Sequence, residues 1–283
     1  MRHRNLAWWL GAMLGAATLA LFLGWFVRAG AAATDTPSSS SAQAGSRRPV
    51  LVELFTSEGC SSCPPADVLL AKLDELQPVA GAQVIVLSEH VTYWDHEGWR
   101  DPYSLDSVTD RQKWYGFKFG LSDVYTPQAV VDGAVQVLGS DPSKLLQAIS
   151  TAAAQPKAEL AISGAAWTGD GIKFTIHEAG AAATKSKTTL EAALAEDVTT
   201  TAVKSGENAG KTLRNVAVVR DFKEIGPGVD GDREVLLRLP AEQIKGASGA
   251  ASGSASGSVR LVVFLTDKHS GRVLGAEEQT IAR

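Results

Sequence analysis

Cys60 and Cys63 carry the clearest chemistry in this chain, and they are its only cysteines among 283 residues. They enclose Ser61-Ser62, follow the apolar run Val50-Leu51-Val52-Glu53-Leu54-Phe55-Thr56, and precede Pro64-Pro65-Ala66-Asp67. A Cys-x-x-Cys between a strand and a helix start is the arrangement that thiol–disulfide exchange uses. The spacing lets the sulfurs meet across one turn, and the helix N-terminus favours the thiolate, which is the attacking form. Cys60 is the expected nucleophile, and Cys63, nearer the helix interior, the resolving thiol of a mixed-disulfide mechanism. A pair so closely spaced closes a loop too small to add much stability by chain entropy, which favours chemistry over stapling. Two alternatives stand beside exchange. One is a permanent disulfide without turnover. The other is metal capture, in which the two thiolates need further ligands to close a tetrahedral zinc site. His90 is the candidate third ligand, and a Cys60, Cys63, His90 set would suit Cu(I) or zinc. Under the exchange reading the redox-active disulfide is the only prosthetic element.

Several other side chains could serve this pair. Glu53 lies in the preceding strand, where a buried carboxylate under the motif could accept a proton from the second thiol; an edge or partly exposed position is the alternative. Glu58 is a negative charge close to Cys60 and would oppose thiolate formation. Asp67 reads as dipole compensation in the first helical turn. His90 could relay a proton, ligate a metal or order its own segment. Tyr93, Trp94 and Trp99 could line a wall for a peptide or ligand, or pack their segment onto the domain. His96 and Glu97 read as solvent-facing. Gly206-Glu207-Asn208-Ala209-Gly210 reads as a turn between strands, and Lys211, Arg214 and Arg220 as a solvated basic group.

The elements around the motif alternate. Val50–Phe55 is a strand buried on both faces. Ala66, Leu69, Leu70, Leu73 and Leu76 follow at helical spacing, with Pro64 and Pro65 in the first turn. Gln83–Ser88 is a second buried strand, which implies a parallel pair with a right-handed crossover. A polar, aromatic insertion runs from Glu89 to Tyr103, then a helix from Asp106 to Phe117. Ala129–Val131 and Ala134–Leu138 form a hairpin through Asp132-Gly133. A last helix starts at Asp141 or Ser140, with Pro142 at its first turn and Leu145, Leu146 and Ile149 on its apolar face.

This β-α-β-(insertion)-α-β-β-α order resembles the thioredoxin fold. Thr126-Pro127, just before the third strand, matches the position where thioredoxin-like proteins usually carry a cis proline against the Cys-x-x-Cys. The resemblance implies a cis Pro127 beside the cysteines, presenting the backbone of Thr126 to a substrate chain in the manner of an added strand. The segments VELFTSEGCSSCPPAD, LSEHVTYWDHEGWRDPYS, TDRQKWYG, VYTPQAVVDG, VLGSD and VKSGENAGKTLRNVAVVRDF together resemble the bacterial exported family called domain of unknown function 1223. That resemblance covers about Pro49 to Phe222. It implies a thioredoxin-like domain followed by a β-rich segment, and it supplies no reaction. Glu58-Gly59 stands where many thioredoxins carry a bulky aromatic, so a reductase role does not transfer with the fold.

From Lys157 onward the texture changes to alternating or β-branched runs at 158–163, 172–177, 188–194, 213–220, 234–239, 259–266 and 272–276, separated by Gly-, Asn- and Asp-rich turns. These predict a mostly antiparallel, sandwich-like β domain. The fold class expected is therefore an α/β thioredoxin-like domain over 49–156 and a β-rich domain over 157–283, with a flexible loop at 246–258. Upstream, Arg2, His3 and Arg4 precede an uncharged run from Asn5 to Val27, then Arg28 and Ala31-Ala32-Ala33. Residues 1–33 satisfy the criteria for both a cleaved signal peptide and a membrane anchor. Residues 34–48 read as a flexible linker. Either reading exports the remainder to the periplasm or cell exterior, with inner-membrane attachment if the helix is retained. The expected partner is a protein or small thiol in the envelope. A net charge of −4 without a basic cluster gives no footprint for nucleic acid.

Overall fold

The computed structural model describes residues 47–169, 171–179, 187–238 and 258–282. The expected apolar helix at 1–33 and the linker up to Ser46 lie outside the described residues, as does the loop at 246–258 apart from Ser258. Among the described residues no helix is long and apolar enough to cross a membrane.

The first half runs β1 (Arg48–Thr56), α1 (Pro64–Leu76), β2 (Ala82–His90), a 3-10 turn (Thr92–Trp94), α2 (Asp106–Phe119), β3 (Gln128–Val131), β4 (Val135–Leu138) and α3 (Pro142–Ala153). β1 pairs in parallel with β2, from Arg48↔Ala82 to Thr56↔His90, and antiparallel with β3. Residues Val50–Thr56 are buried throughout, because α1 and α3 cover one face and α2 with strands from the second half the other. Alternation along the strand decides what each side chain meets. Glu53 and Phe55 face α2, where Tyr115 Oη donates to Glu53 Oε2 at 2.6 Å and the Phe55 and Tyr115 rings lie 6.0 Å apart. Thr56 faces α1, where its hydroxyl donates to Asp67 Oδ1 at 2.8 Å. α1 begins with prolines in its first turn. Asp141 caps α3 by accepting from Lys144 N at 3.1 Å. The β3–β4 hairpin turns through Asp132 and Gly133, both at positive φ (48° and 58°), as a type I′ connection requires.

Among the described residues the second half supplies seven strands: β5 (Glu159–Thr168), β6 (Gly171–Ala179), β7 (Thr188–Ala202), β8 (Thr212–Pro227), β9 (Gly231–Arg238), β10 (Ser258–Asp267) and β11 (Val273–Ala282). Each β run expected downstream of Lys157 corresponds to one of them. They do not all form a sheet of their own. The larger sheet has the order β11-β10-β7-β8-β2-β1-β3-β4, and β5-β6-β9 forms a small antiparallel sheet. The chain is thus a mixed α/β sheet with central parallel strands plus a three-stranded antiparallel sheet. The eight-stranded sheet runs across the expected boundary at 156/157 and is joined there by a single parallel bridge, Ser88↔Val218. It also curls, for Val273 N of β11 donates to Asp132 O in the hairpin at the other end of the strand order, at 2.8 Å.

β7 and β10 are buried on both faces. Ala193, Ala195, Val262 and Phe264 enter the core that also holds Val50–Phe55, Leu70, Tyr115 and Ile149. Leu190, Leu194, Leu261, Val263 and Leu265 point the other way, against Ile172, Phe174 and Ile176 of the small sheet. The eight-stranded sheet therefore separates two cores, and the first of them is built from both halves of the chain.

Candidate functional site

Cys60 and Cys63 sit at the carboxyl end of β1 and the start of α1, joined as a disulfide with Cα atoms 5.5 Å apart. Cys63 is the residue that precedes the first helical turn of α1. Neither cysteine is exposed, while Ser61 and Ser62 between them face solvent. The Thr126–Pro127 bond is cis, and the Thr126 hydroxyl donates to Cys60 Sγ at 3.4 Å. Ser62 Oγ lies 3.3 Å from the same sulfur. Thr126, which the thioredoxin resemblance set beside the motif, thus reaches Cys60 Sγ, and the bond to Pro127 is cis as that resemblance implied.

The aromatic insertion is anchored to this site. Trp94 Nε1 donates to Thr126 Oγ1 at 2.8 Å, so one hydroxyl links the insertion to the sulfur. The same Trp94 packs on Gly59, where an added Cβ would come within 3.2 Å of the Trp94 Cβ and carbonyl oxygen. Trp99 Nε1 donates to Glu58 Oε2 at 3.1 Å. Tyr93 lies between Gln112 and Thr126. Gln112, fully buried on α2, donates to Tyr125 O at 2.8 Å and Gln128 Oε1 at 3.0 Å and so grips both sides of the cis bond. His96 and Glu97 face solvent.

A family model described as "Protein of unknown function (DUF1223)" matches residues 51–253. The chain belongs to that family. A crystal structure of an Agrobacterium tumefaciens protein, a structural genomics target, resembles it with a TM-score of 0.58 at 26% identity, covering 83% of this chain and 95% of the other. No curated protein matches the chain.

Beneath the disulfide this DUF1223 protein buries a cluster of ionisable groups. His90 Nδ1 lies 2.7 Å from Asp101 Oδ2, and His90 Nε2 lies 3.2 Å from Ser88 Oγ. Both ring nitrogens are thus engaged away from the sulfurs, and among the described residues no three of His, Cys, Asp and Glu are grouped to hold a metal. Asp101 also accepts from Glu58 N at 2.7 Å and Ser57 Oγ at 3.3 Å. Burial works against ionising both partners, yet mutual attraction prevails: the His90 pKa is raised and the Asp101 pKa lowered. Burial lifts Asp67 from 3.8 to about 7, against the opposing pull of His90 and the Thr56 hydroxyl. Burial, then the Asp101 charge, raises Glu58.

Glu53 is placed elsewhere. It is fully buried, but on the α2 face, where Arg111 Nε donates to it at 2.5 Å beside the Tyr115 hydroxyl. Glu89 lies against it, and burial followed by the Glu53 charge holds the Glu89 carboxyl well above the usual range. Since Glu53 and Thr56 point to opposite faces of β1, the buried acid that α1 supplies on the motif's side is Asp67, beside Asp101 and Glu58. Its position one α-turn before the Leu70 to Leu73 stripe of α1 is a readable signal, since a merely dipole-compensating acid would face solvent. A second contribution had no local signal. Asn208, fully buried in the turn between β7 and β8, donates to Glu58 O at 2.8 Å and Cys60 O at 2.9 Å. Glu207 beside it accepts from Ser61 N at 3.1 Å. The expected turn is there, but it is docked on the cysteine loop about 150 residues upstream.

Proposed function

We propose that this protein is an exported thiol–disulfide oxidoreductase built on a thioredoxin-like half. The observation that carries the reading is the convergence of Cys60 Sγ, the Thr126 hydroxyl and cis Pro127 at the start of α1. The β2-β1-β3-β4 order with a parallel β1–β2 pair supports the thioredoxin-like assignment. Where many thioredoxins carry an aromatic before the motif, Gly59 instead packs against the Cβ and carbonyl of Trp94, whose indole bonds Thr126.

In the reducing direction the Cys60 thiolate attacks a substrate disulfide. A Cys60–substrate bond forms and the substrate's S–S bond breaks, releasing one substrate thiolate that takes up a proton. The Cys63 thiolate then attacks Cys60 Sγ, frees the second substrate thiol and leaves Cys60–Cys63 oxidised. The substrate gains two electrons and the protein loses two; the reverse sequence oxidises a dithiol. Asp67, one turn beyond Cys63 on α1 and near neutrality in pKa, is the group suited to exchange protons with the resolving thiol. Substrate chains would align along the backbone of Thr126. The partner is an envelope protein or small thiol, and the N-terminal apolar run exports the chain or anchors it.

Exchange assays with a disulfide substrate test this. Cys60→Ser should abolish turnover, and Cys63→Ser should accumulate mixed disulfides visible on non-reducing gels. Variants indistinguishable from wild type would sink the reading. The complete burial of both sulfurs favours one rival, a binding module with a locked disulfide. A reduction potential far below that of the glutathione pool, with no turnover, would select it.

A further inference from the structure

The turn from Val203 to Lys211 is a self-contained unit. Gly210 N donates to Val203 O at 2.9 Å, Val203 N to Lys211 O at 3.0 Å and Ala209 N to Gly206 O at 3.1 Å. It reaches the cysteine loop through specific polar contacts. Asn208 gives both amide hydrogens to the carbonyls of Glu58 and Cys60, and its own oxygen accepts from Lys211 Nζ at 2.8 Å. Ser205 Oγ donates to Gly98 O at 2.5 Å, and Gly206 packs against Trp99. So held, the turn presents Glu207 at the mouth of the site. Its carboxylate accepts from the amide of Ser61, the residue next to Cys60, on the exposed side of the loop. Hydrogen bonds from the side chain and backbone of Ser61 hold its carboxyl below the usual range. A charged thiol that reaches Cys60 past the exposed Ser61 side of the loop therefore meets the Glu207 carboxylate, bonded to the residue next to Cys60.

We propose that Glu207, positioned by Asn208, determines specificity at this site by selecting thiols or disulfides that carry positive charge next to the reacting sulfur. This rests on the exchange reading and names its substrate class: in a protein partner, a cysteine flanked by Lys or Arg. Charge near a reaction path acts on the approach of a charged reactant and weakens as salt screens it.

Reduction of the Cys60–Cys63 disulfide in the purified full chain tests the idea with three small thiols: cysteamine (cationic), 2-mercaptoethanol (neutral) and 3-mercaptopropionate (anionic). In each case two thiols become one disulfide as the protein disulfide becomes two thiols, and each rate is corrected for thiolate fraction and nucleophilicity. At low salt the cationic thiol should react about three- to tenfold faster than the anionic one, as expected for single charges a few ångströms apart in water, and added salt should shrink the ratio. Glu207→Gln should bring it near one, and Glu207→Lys should invert it. Equal rates, or a ratio unchanged in Glu207→Gln, would overturn the inference while leaving the exchange reading intact. So would a preference for the anionic thiol, which Arg100 and Lys204 in the roughly 530 Å³ cavity beside Trp99 would produce. A disulfide that none of the three thiols reduces would overturn both together.

Discussion

Thr126 serves two groups with one hydroxyl, accepting from Trp94 Nε1 and donating to Cys60 Sγ. Thr126→Val keeps the shape and removes both bonds. It leaves the partly buried indole N–H without its partner, which should lower stability by about 1–3 kcal/mol. The reduced protein should also show a smaller thiolate fraction at Cys60 at neutral pH, because a donor to sulfur favours the charged form. Ultraviolet thiolate absorbance against pH measures this, and an unchanged titration would deny Thr126 its role at the sulfur. Asp67 gives the pH dependence. Its carboxyl is raised from 3.8 to about 7 in the folded state, so between those values the folded protein holds a proton that the unfolded chain has released. Its contribution therefore declines as pH rises through that window, by roughly 4 kcal/mol in all. His90 acts in the same direction. Its raised pKa stabilises the fold below its ordinary 6.5, and that stability is lost as pH climbs through the folded value. Asp67→Asn keeps an oxygen for the Thr56 hydroxyl and removes the ionisation. Its denaturation midpoint should fall less than wild type's between about pH 4 and pH 7 and should exceed wild type's above that range. Parallel curves would show that Asp67 does not titrate in the fold.

The hairpin between β3 and β4 is where local pattern and long-range structure coincide. Asp132-Gly133 between two apolar runs is a strong turn signal, and both residues adopt positive φ. The turn is also a junction: Asp132 Oδ1 accepts from Leu51 N at 2.9 Å, Oδ2 pairs with Lys157, and Asp132 O accepts from Val273 N. A Cβ on Gly133 would sit 2.0 Å from the backbone oxygen of Gly271. Gly133→Ala should therefore lose about 2–4 kcal/mol. Gly120→Ala, at similar φ with nothing within 4 Å, should lose only about 1–2 kcal/mol. Equal losses in thermal or denaturant unfolding would mean that the junction with β11 does not constrain the turn. The strands themselves were legible by the same reasoning, because alternation and turn residues are local properties. Their partners were not. β7 and β10 are buried on both faces, a pattern common to any central strand, and the join of β2 to β8 rests on one bridge that no periodicity encodes. The site divides likewise. Cys60, Cys63, Thr126 and Pro127 are tied to element ends that the local pattern defines. Asn208 lies in a Gly-rich turn whose composition explains the turn and gives no hint of what it touches. For Glu53 the sequence left burial and an edge position both open, and its face depends on what covers each side of β1.

At the scale of the molecule, the thiol site depends on the strands that follow it. Ala193, Ala195, Val216, Val219, Val262, Phe264 and Ala276 belong to the same core as Val52, Phe55, Leu70 and Tyr115. Polar ties reinforce the join: Arg260 of β10 makes two 2.8 Å bonds to Asp74 of α1 and one of 2.6 Å to Asp197 of β7. Arg111 of α2 bridges Glu53 of β1 and Glu191 of β7. A fragment ending at residue 156 would leave the outer edge of β2 and these apolar side chains to water. We predict that residues 47–283 unfold as one cooperative unit, with tryptophan fluorescence and far-ultraviolet circular dichroism giving coincident denaturant transitions. The 49–156 fragment alone should bind hydrophobic dyes and lack a cooperative transition. Arg260→Met sharpens the test, because it removes the cation that Asp74 and Asp197 share in a mostly buried setting and should lower stability by about 3 kcal/mol. Under shared folding both probes move together by that amount, and the Cys60–Cys63 disulfide becomes easier to reduce at any given denaturant concentration although Arg260 lies in a different half of the chain. Two separated transitions, with only the later strands shifted by Arg260→Met, would show that the halves fold independently and that the common core adds no cooperativity.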